Sequence, residues 1–140
     1  MCSYNSIELS NGIYKVDNEA FNGCTSVQYL HLNDDGNLKI IGPDAFKEIN
    51  TGENPGIDIV IPDSIEEIYD YAFGGEIPWH VCRIFAETPP YLGSYGFGDR
   101  DKLIEANRTI EVPSDSVDAY KTASNKWSKY ASVIVPLYST

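Results

Sequence analysis

The sequence predicts an α+β repeat fold: a solenoid of five to six short β rungs closed by a helical C-terminal cap. Three observations carry this expectation. A phrase recurs four times in which an aliphatic residue is followed, five positions later, by a Phe preceded by a small residue: Val16 to Ala20-Phe21, Ile41 to Ala45-Phe46, Ile68 to Ala72-Phe73 and Leu92 to Gly96-Phe97. The Phe positions lie 25, 27 and 24 residues apart, and a period in the twenties marks a unit that buries its apolar face only by stacking on its neighbours. Between these phrases run short apolar-x-apolar segments with the alternation of β-strands. After Pro113 the pattern changes to apolar residues at helical spacing, Val117, Tyr120, Trp127 and Ala131.

Taken in order, the rungs are Ile7-Glu-Leu9, Leu30-His-Leu32, Ile59-Val-Ile61, Ile84-Phe-Ala86, Ile110-Glu-Val112 and Val133-Ile-Val135. From the second apolar residue of a rung to the next Phe takes 12 residues in the first unit and 12 in the third. The second takes 14, the excess sitting in the polar Asn33-Asp34-Asp35-Gly36-Asn37, and the fourth takes 11, near Pro89-Pro90. Polar and Pro-rich differences fall where a turn absorbs them. Each unit then runs strand, polar turn, a second apolar pair such as Ile65 and Ile68, and a tight turn that drops Ala-Phe into the core. A larger residue before the Phe would crowd the stacked turn. The Phe rings are expected to form a spine, each worth roughly 1.5–3 kcal/mol of burial. The cap, over 114–136, is expected as an amphipathic helix with Ser114 or Ser116 at its N-cap. One domain covers 1–140, with repeats over 7–113. Because Ile7 and Leu9 begin a rung with nothing before them to cover it, the chain is expected to be part of a longer exported protein.

These residues resemble the BspA-type leucine-rich repeat proteins of gut and oral anaerobes and some protozoa. Ile61-Pro62-Asp-Ser64-Ile65-Glu-Glu-Ile68-Tyr-Asp-Tyr-Ala72-Phe73 and Ala20-Phe21-Asn-Gly23-Cys24-Thr-Ser26 carry the likeness, which extends over about 7–136. The resemblance implies a right-handed, leucine-rich-repeat-like solenoid. It also implies an extracellular or cell-surface protein of adhesion type that binds a host matrix or cell-surface protein.

Composition narrows the function classes. A formal net charge of −11 opposes nucleic-acid binding, which draws its affinity from neutralising phosphates with Lys and Arg. No apolar run reaches the 18 or so residues of a membrane span. The three cysteines are an odd count without paired spacing, so Cys24 is expected to fill an apolar slot as a free thiol, Cys82 to point inward, and no disulfide is expected. His80 and Cys82 lack the further ligands of a zinc site. Asn33–Asn37 lacks the distal Glu of a calcium loop and reads as a polar turn. Asn107-Arg-Thr109 reads as an ordinary turn. No metal or cofactor is expected. Catalysis by paired carboxylates fails on distance: Glu8 and Glu111 sit four rungs apart, roughly 19 Å, against about 5–9.5 Å in glycosidases. No nucleophile motif or phosphate loop is present. The chain is expected not to be an enzyme.

The outward strand face is the candidate site. One column there is Glu8, His31, Val60, Phe85, Glu111 and Ile134; the column before it is Ser6, Tyr29, Asp58, Arg83, Thr109 and Ser132. Tyr29, His31, Val60 and Phe85 should form an aromatic-apolar patch beside Asp58 and Arg83, of the kind that marks an interaction site. The expected function is a non-enzymatic protein-binding module. Repeats that act only as a structural spacer, or a module that binds a glycan, are the alternatives.

Overall fold

The computed structural model describes residues 4–49, 56–75 and 79–137. Among the described residues, ten short strands and three short helices follow one another. The rung strands are β1 (Ser6–Glu8), β3 (Tyr29–His31), β5 (Asp58–Ile61), β7 (Val81–Ile84), β9 (Ile110–Val112) and β10 (Ile134–Pro136). They alternate with two-residue strands β2 (Lys15–Val16), β4 (Ile40–Ile41), β6 (Glu67–Ile68) and β8 (Tyr91–Leu92). Every pairing is parallel: β1 with β3, then β5-β7-β9-β10, and on a second side β2-β4-β6-β8. This second ladder was not expected from the sequence; of an apolar pair such as Ile65 and Ile68, only the later residue lies in it. Its inward residues Val16, Ile41, Ile68 and Leu92 are all buried.

Alternation explains which rung residues face inward. Ile7, Leu9, Leu32, Ile59, Ile61, Ile84, Ile110 and Val112 are buried, while Glu8 and Val60 face solvent. The Phe spine is present: Phe21–Phe46, Phe46–Phe73 and Phe73–Phe97 stack at 5.4, 5.2 and 5.9 Å with interplanar angles of 11°, 6° and 4°. Ala45, Ala72 and Gly96 beside the inner rings are buried. A Cβ on Gly96 would already meet the Leu92 side chain.

The turns are locked from one repeat to the next. Phe21, Phe46 and Phe73 donate their N–H to the carbonyls of Ala45, Ala72 and Gly96 at 2.7–2.8 Å. The residue two before each Phe takes a left-handed conformation: Glu19 (φ 59°), Asp44 (φ 58°), Tyr71 (φ 59°) and Tyr95 (φ 55°).

Two rung assignments differ from the sequence reading. Ile61 pairs with Ile84 and Ile59 with Cys82, so the fourth rung is Cys82-Arg83-Ile84, two residues earlier than Ile84-Phe85-Ala86. Ile134 pairs with Ile110 and is buried, so Val135, not Ile134, continues the outward column beside Glu111. Parallel pairing sets both registers, because either frame satisfies alternation in such apolar stretches. Cys24 is also corrected: it is buried but disulfide-bonded, its partner outside the described residues, whereas Cys82 is a free, buried thiol. Burial pushes the Cys82 thiol well up, away from reactivity.

The C-terminal segment is not one helix. After α1 (Arg100–Glu105), which the sequence reading did not contain, a single turn at Ser114–Ser116 leads into α2 (Val117–Thr122) and α3 (Asn125–Ser128). Ser124 splits them: its extended backbone ends α2, and its hydroxyl accepts from the N–H groups of Lys126 and Trp127 to cap α3. Ser116 does not cap; its hydroxyl donates to the Glu87 carbonyl. The buried face is Tyr120, Trp127 and Tyr130, and Ala131 is only partly covered. Trp127 and Tyr130 lie 5.7 and 6.0 Å from Phe97 and close the spine. Their polar tips meet backbone carbonyls: Tyr120 donates to Ala86, Trp127 to Pro90 and Tyr130 to Gly98. Burial accordingly pushes both phenols above their usual range.

Candidate functional site

The rung ladder's outward surface carries a groove of about 440 Å³ lined by His31, Leu32, Asp34, Val60, Pro62, Asp63 and Phe85. Three of the six expected residues meet in it. β3 presents His31 and β5 presents Val60. Phe85 follows β7 directly, its N–H donating to the Ile61 carbonyl at 3.0 Å, which sets it level with Pro62 and not with Val60. Val60 is 42% and Phe85 45% exposed, so the floor is apolar. Asp34 and Asp63, from the polar turns that follow the two rungs, give it an acidic rim. The alternation of the rungs did not point to them.

Asp58 and Arg83 sit beside the groove in a charged line. The Arg83 guanidinium donates to Asp58 at 3.1 Å through Nη1 and to Glu111 at 3.1 Å through Nε, and His80 Nδ1 lies 2.7 Å from the other Asp58 oxygen. Desolvation pushes the Asp58 carboxyl up, but the hydrogen bonds from His80 and Arg83 outweigh it and hold the group below its usual value. The pairing register of β5, β7 and β9 creates this line. Arg83 stands directly between Val60 and Glu111, where alternation alone had put Phe85. Tyr29 is 52% exposed but pairs across to Ser6 and does not line the groove.

The other motifs fall into structural roles. Asp35 accepts from the Gly12 N–H at 2.6 Å and from the Asn33 and Asn37 amides at 2.8 and 2.9 Å, tying the first unit's turn to the second's. The Asn37 side-chain amide and the Gly12 N–H hold this exposed carboxyl well below its usual range. His80 is exposed and Cys82 fully buried, so the two do not share a face. Among the described residues no group of three or more His, Cys, Asp or Glu side chains is placed to hold a metal. No helix there is long and apolar enough to cross a membrane.

The repeat architecture agrees with a family comparison. A profile of the BspA-type leucine-rich repeat region matches residues 1–107 in six copies. The chain belongs to the BspA-type leucine-rich repeat family. No curated protein matches it. The matched BspA-type repeats take in β1 to β8 and α1, so the groove lies wholly within them, while β9 and the Tyr120/Trp127 cap lie beyond.

Proposed function

We propose that this chain is a non-enzymatic, secreted or surface-exposed module that binds a protein ligand, of host matrix or cell-surface type, through the His31/Val60/Phe85 groove. The observation that carries the reading is an exposed apolar floor with charged residues at its edge, on the outward strand face of a BspA-type repeat. Membership in a family of surface repeat modules supports it. So does the oxidised Cys24, since disulfides form and persist outside the reducing cytosol. Asp58, Arg83 and Tyr29 are taken as the polar and aromatic surround of the same face. The same reading treats 1–140 as one domain, a right-handed solenoid of repeats over 7–113 with its cap over 114–136. The parallel ladders, the continuous Phe spine and the aromatic cap support this.

The purified chain on an array of matrix proteins and glycans, with Phe85→Ser alongside, tests it. Saturable binding to a matrix protein that the variant loses at unchanged melting temperature is the expected result. Silence across the array from a folded monomer overturns it in favour of spacer repeats. Binding confined to glycans overturns the protein-ligand reading.

A further inference from the structure

Away from the strand face, the turns hold a second set of aromatic residues. Tyr71 and Tyr95 occupy the left-handed position of their turns, where bulky side chains are uncommon. Their rings stack at 5.4 Å and 18° and are 40% and 48% exposed. Lys47, from the repeat before Tyr71, holds its ammonium 5.3 Å from that ring's centroid, and Lys129, from the cap, lies 5.8 Å from that of Tyr95. The order along the surface is ammonium, phenol, phenol, ammonium. The ring faces are taken up by stacking and by the cations. What the row offers a ligand is therefore phenol edges and hydroxyls between two positive charges.

Two grooves of about 340 and 380 Å³ run along this row and share Tyr95, Gly98 and Asp99. Together they are lined by five of the chain's 10 Lys and Arg residues but by only three of its 21 Asp and Glu. In a protein of formal net charge −11, that concentration gives a local positive field and selects an anion. The remaining groups refine the choice. Phenols both donate and accept, ammonium groups donate, and carboxylates such as Asp99 and Glu48 accept only. A ligand rich in hydroxyls as well as negative charge satisfies all three. An acidic peptide offers such carboxylates only its backbone N–H groups, whereas a saccharide places hydroxyls beside every charge.

We propose that the Lys47–Tyr71–Tyr95–Lys129 row is a binding site for an acidic saccharide chain, its carboxylates or sulfates held by the lysines and its hydroxyls by the phenols and Asp99. Neither lysine lines the strand-face groove, so the two sites stand or fall separately. The test is calorimetric titration of the whole chain at low ionic strength with heparin, polygalacturonate, dextran and poly-glutamate. Polygalacturonate, heparin or both should bind saturably and more weakly as salt is added, and dextran should not bind. Sulfate is the recognised group if only heparin binds, and carboxylate if polygalacturonate binds as well. The double change Lys47→Gln/Lys129→Gln should weaken binding by about tenfold or more, from two lost charge-assisted contacts. Lys15→Gln/Lys39→Gln removes the same charge from surface pairs elsewhere and should change it by less than about twofold. No binding to either acidic saccharide, equal binding of dextran, equal loss in the control pair, or tighter binding of poly-glutamate would each overturn the proposal.

Discussion

Asp58 accepts hydrogen bonds from two basic side chains on neighbouring segments, and its acidity follows from them. Its folded pKa lies below the ordinary value of 3.8, because the bonds from His80 and Arg83 outweigh the opposing effect of burial. A depressed carboxyl contributes stability that is fully present above its unfolded pKa and is lost as pH falls through the folded one. Asp35, bonded to Gly12, Asn33 and Asn37, has the same sign. The melting temperature should therefore be level near neutrality and fall below about pH 4, with a shallower acid limb in Asp58→Asn and in Asp35→Asn. Thermal melts across that range check it; an acid limb equally steep in both variants would show that other carboxylates set it. Because Asp58 is 43% exposed at its side chain, solvent screening keeps the effect small. At this scale the sequence was a partial guide. Val60 was legible as an outward residue of a clean alternating strand. His80 and Glu111 were not legible as partners of the same line, because the His80–Asp58 and Arg83–Glu111 contacts span 22 and 28 positions and depend on which residues of neighbouring strands lie side by side.

Registers are decided between elements, and no single segment specifies its own. Between Val81 and Ala86 nearly every residue is apolar, so a period of two fits both Cys82/Ile84 and Ile84/Ala86. Pairing with β5 chooses the first. The Val133-Ile134-Val135 run has the same ambiguity and the same resolution, through β9. The disulfide at Cys24 was equally hidden, since connectivity is a property of the folded chain. The Phe column, by contrast, was plain, because a large aromatic after a small residue at a fixed period has one place to go. Its cost on removal should depend on position. Phe46 is fully buried between two rings, whereas Phe21, at the end of the column, is only partly covered. Phe46→Ala should cost about 3–5 kcal/mol and Phe21→Ala clearly less. Urea unfolding of both variants checks the order; equal losses would show that the column does not act as a stack.

In the whole molecule, stability passes from turn to turn along the Phe column and ends in the cap. Trp127 packs on Phe97 and Tyr120 and donates to Pro90, so Trp127→Ala removes both the cover of the last ring and the partner of a carbonyl. Arrays of this kind lose order from an uncovered end. Hydrogen exchange in the variant should quicken most in β8 and β9 and least in β2 and β4. Uniform acceleration would mean that the chain opens as one unit. The left-handed turn position has a wider consequence. The N–H groups of Glu19, Asp44 and Tyr71 are held by the carbonyls of Pro43, Asp70 and Ser94, at 2.9–3.0 Å, so the neighbouring turn fixes the backbone at that point whatever side chain it bears. Acid, acid, phenol and phenol follow one another on the same frame. This line of turns is a rack with interchangeable mounts, on which the surface chemistry of the molecule can be rewritten while the column behind it stays in place.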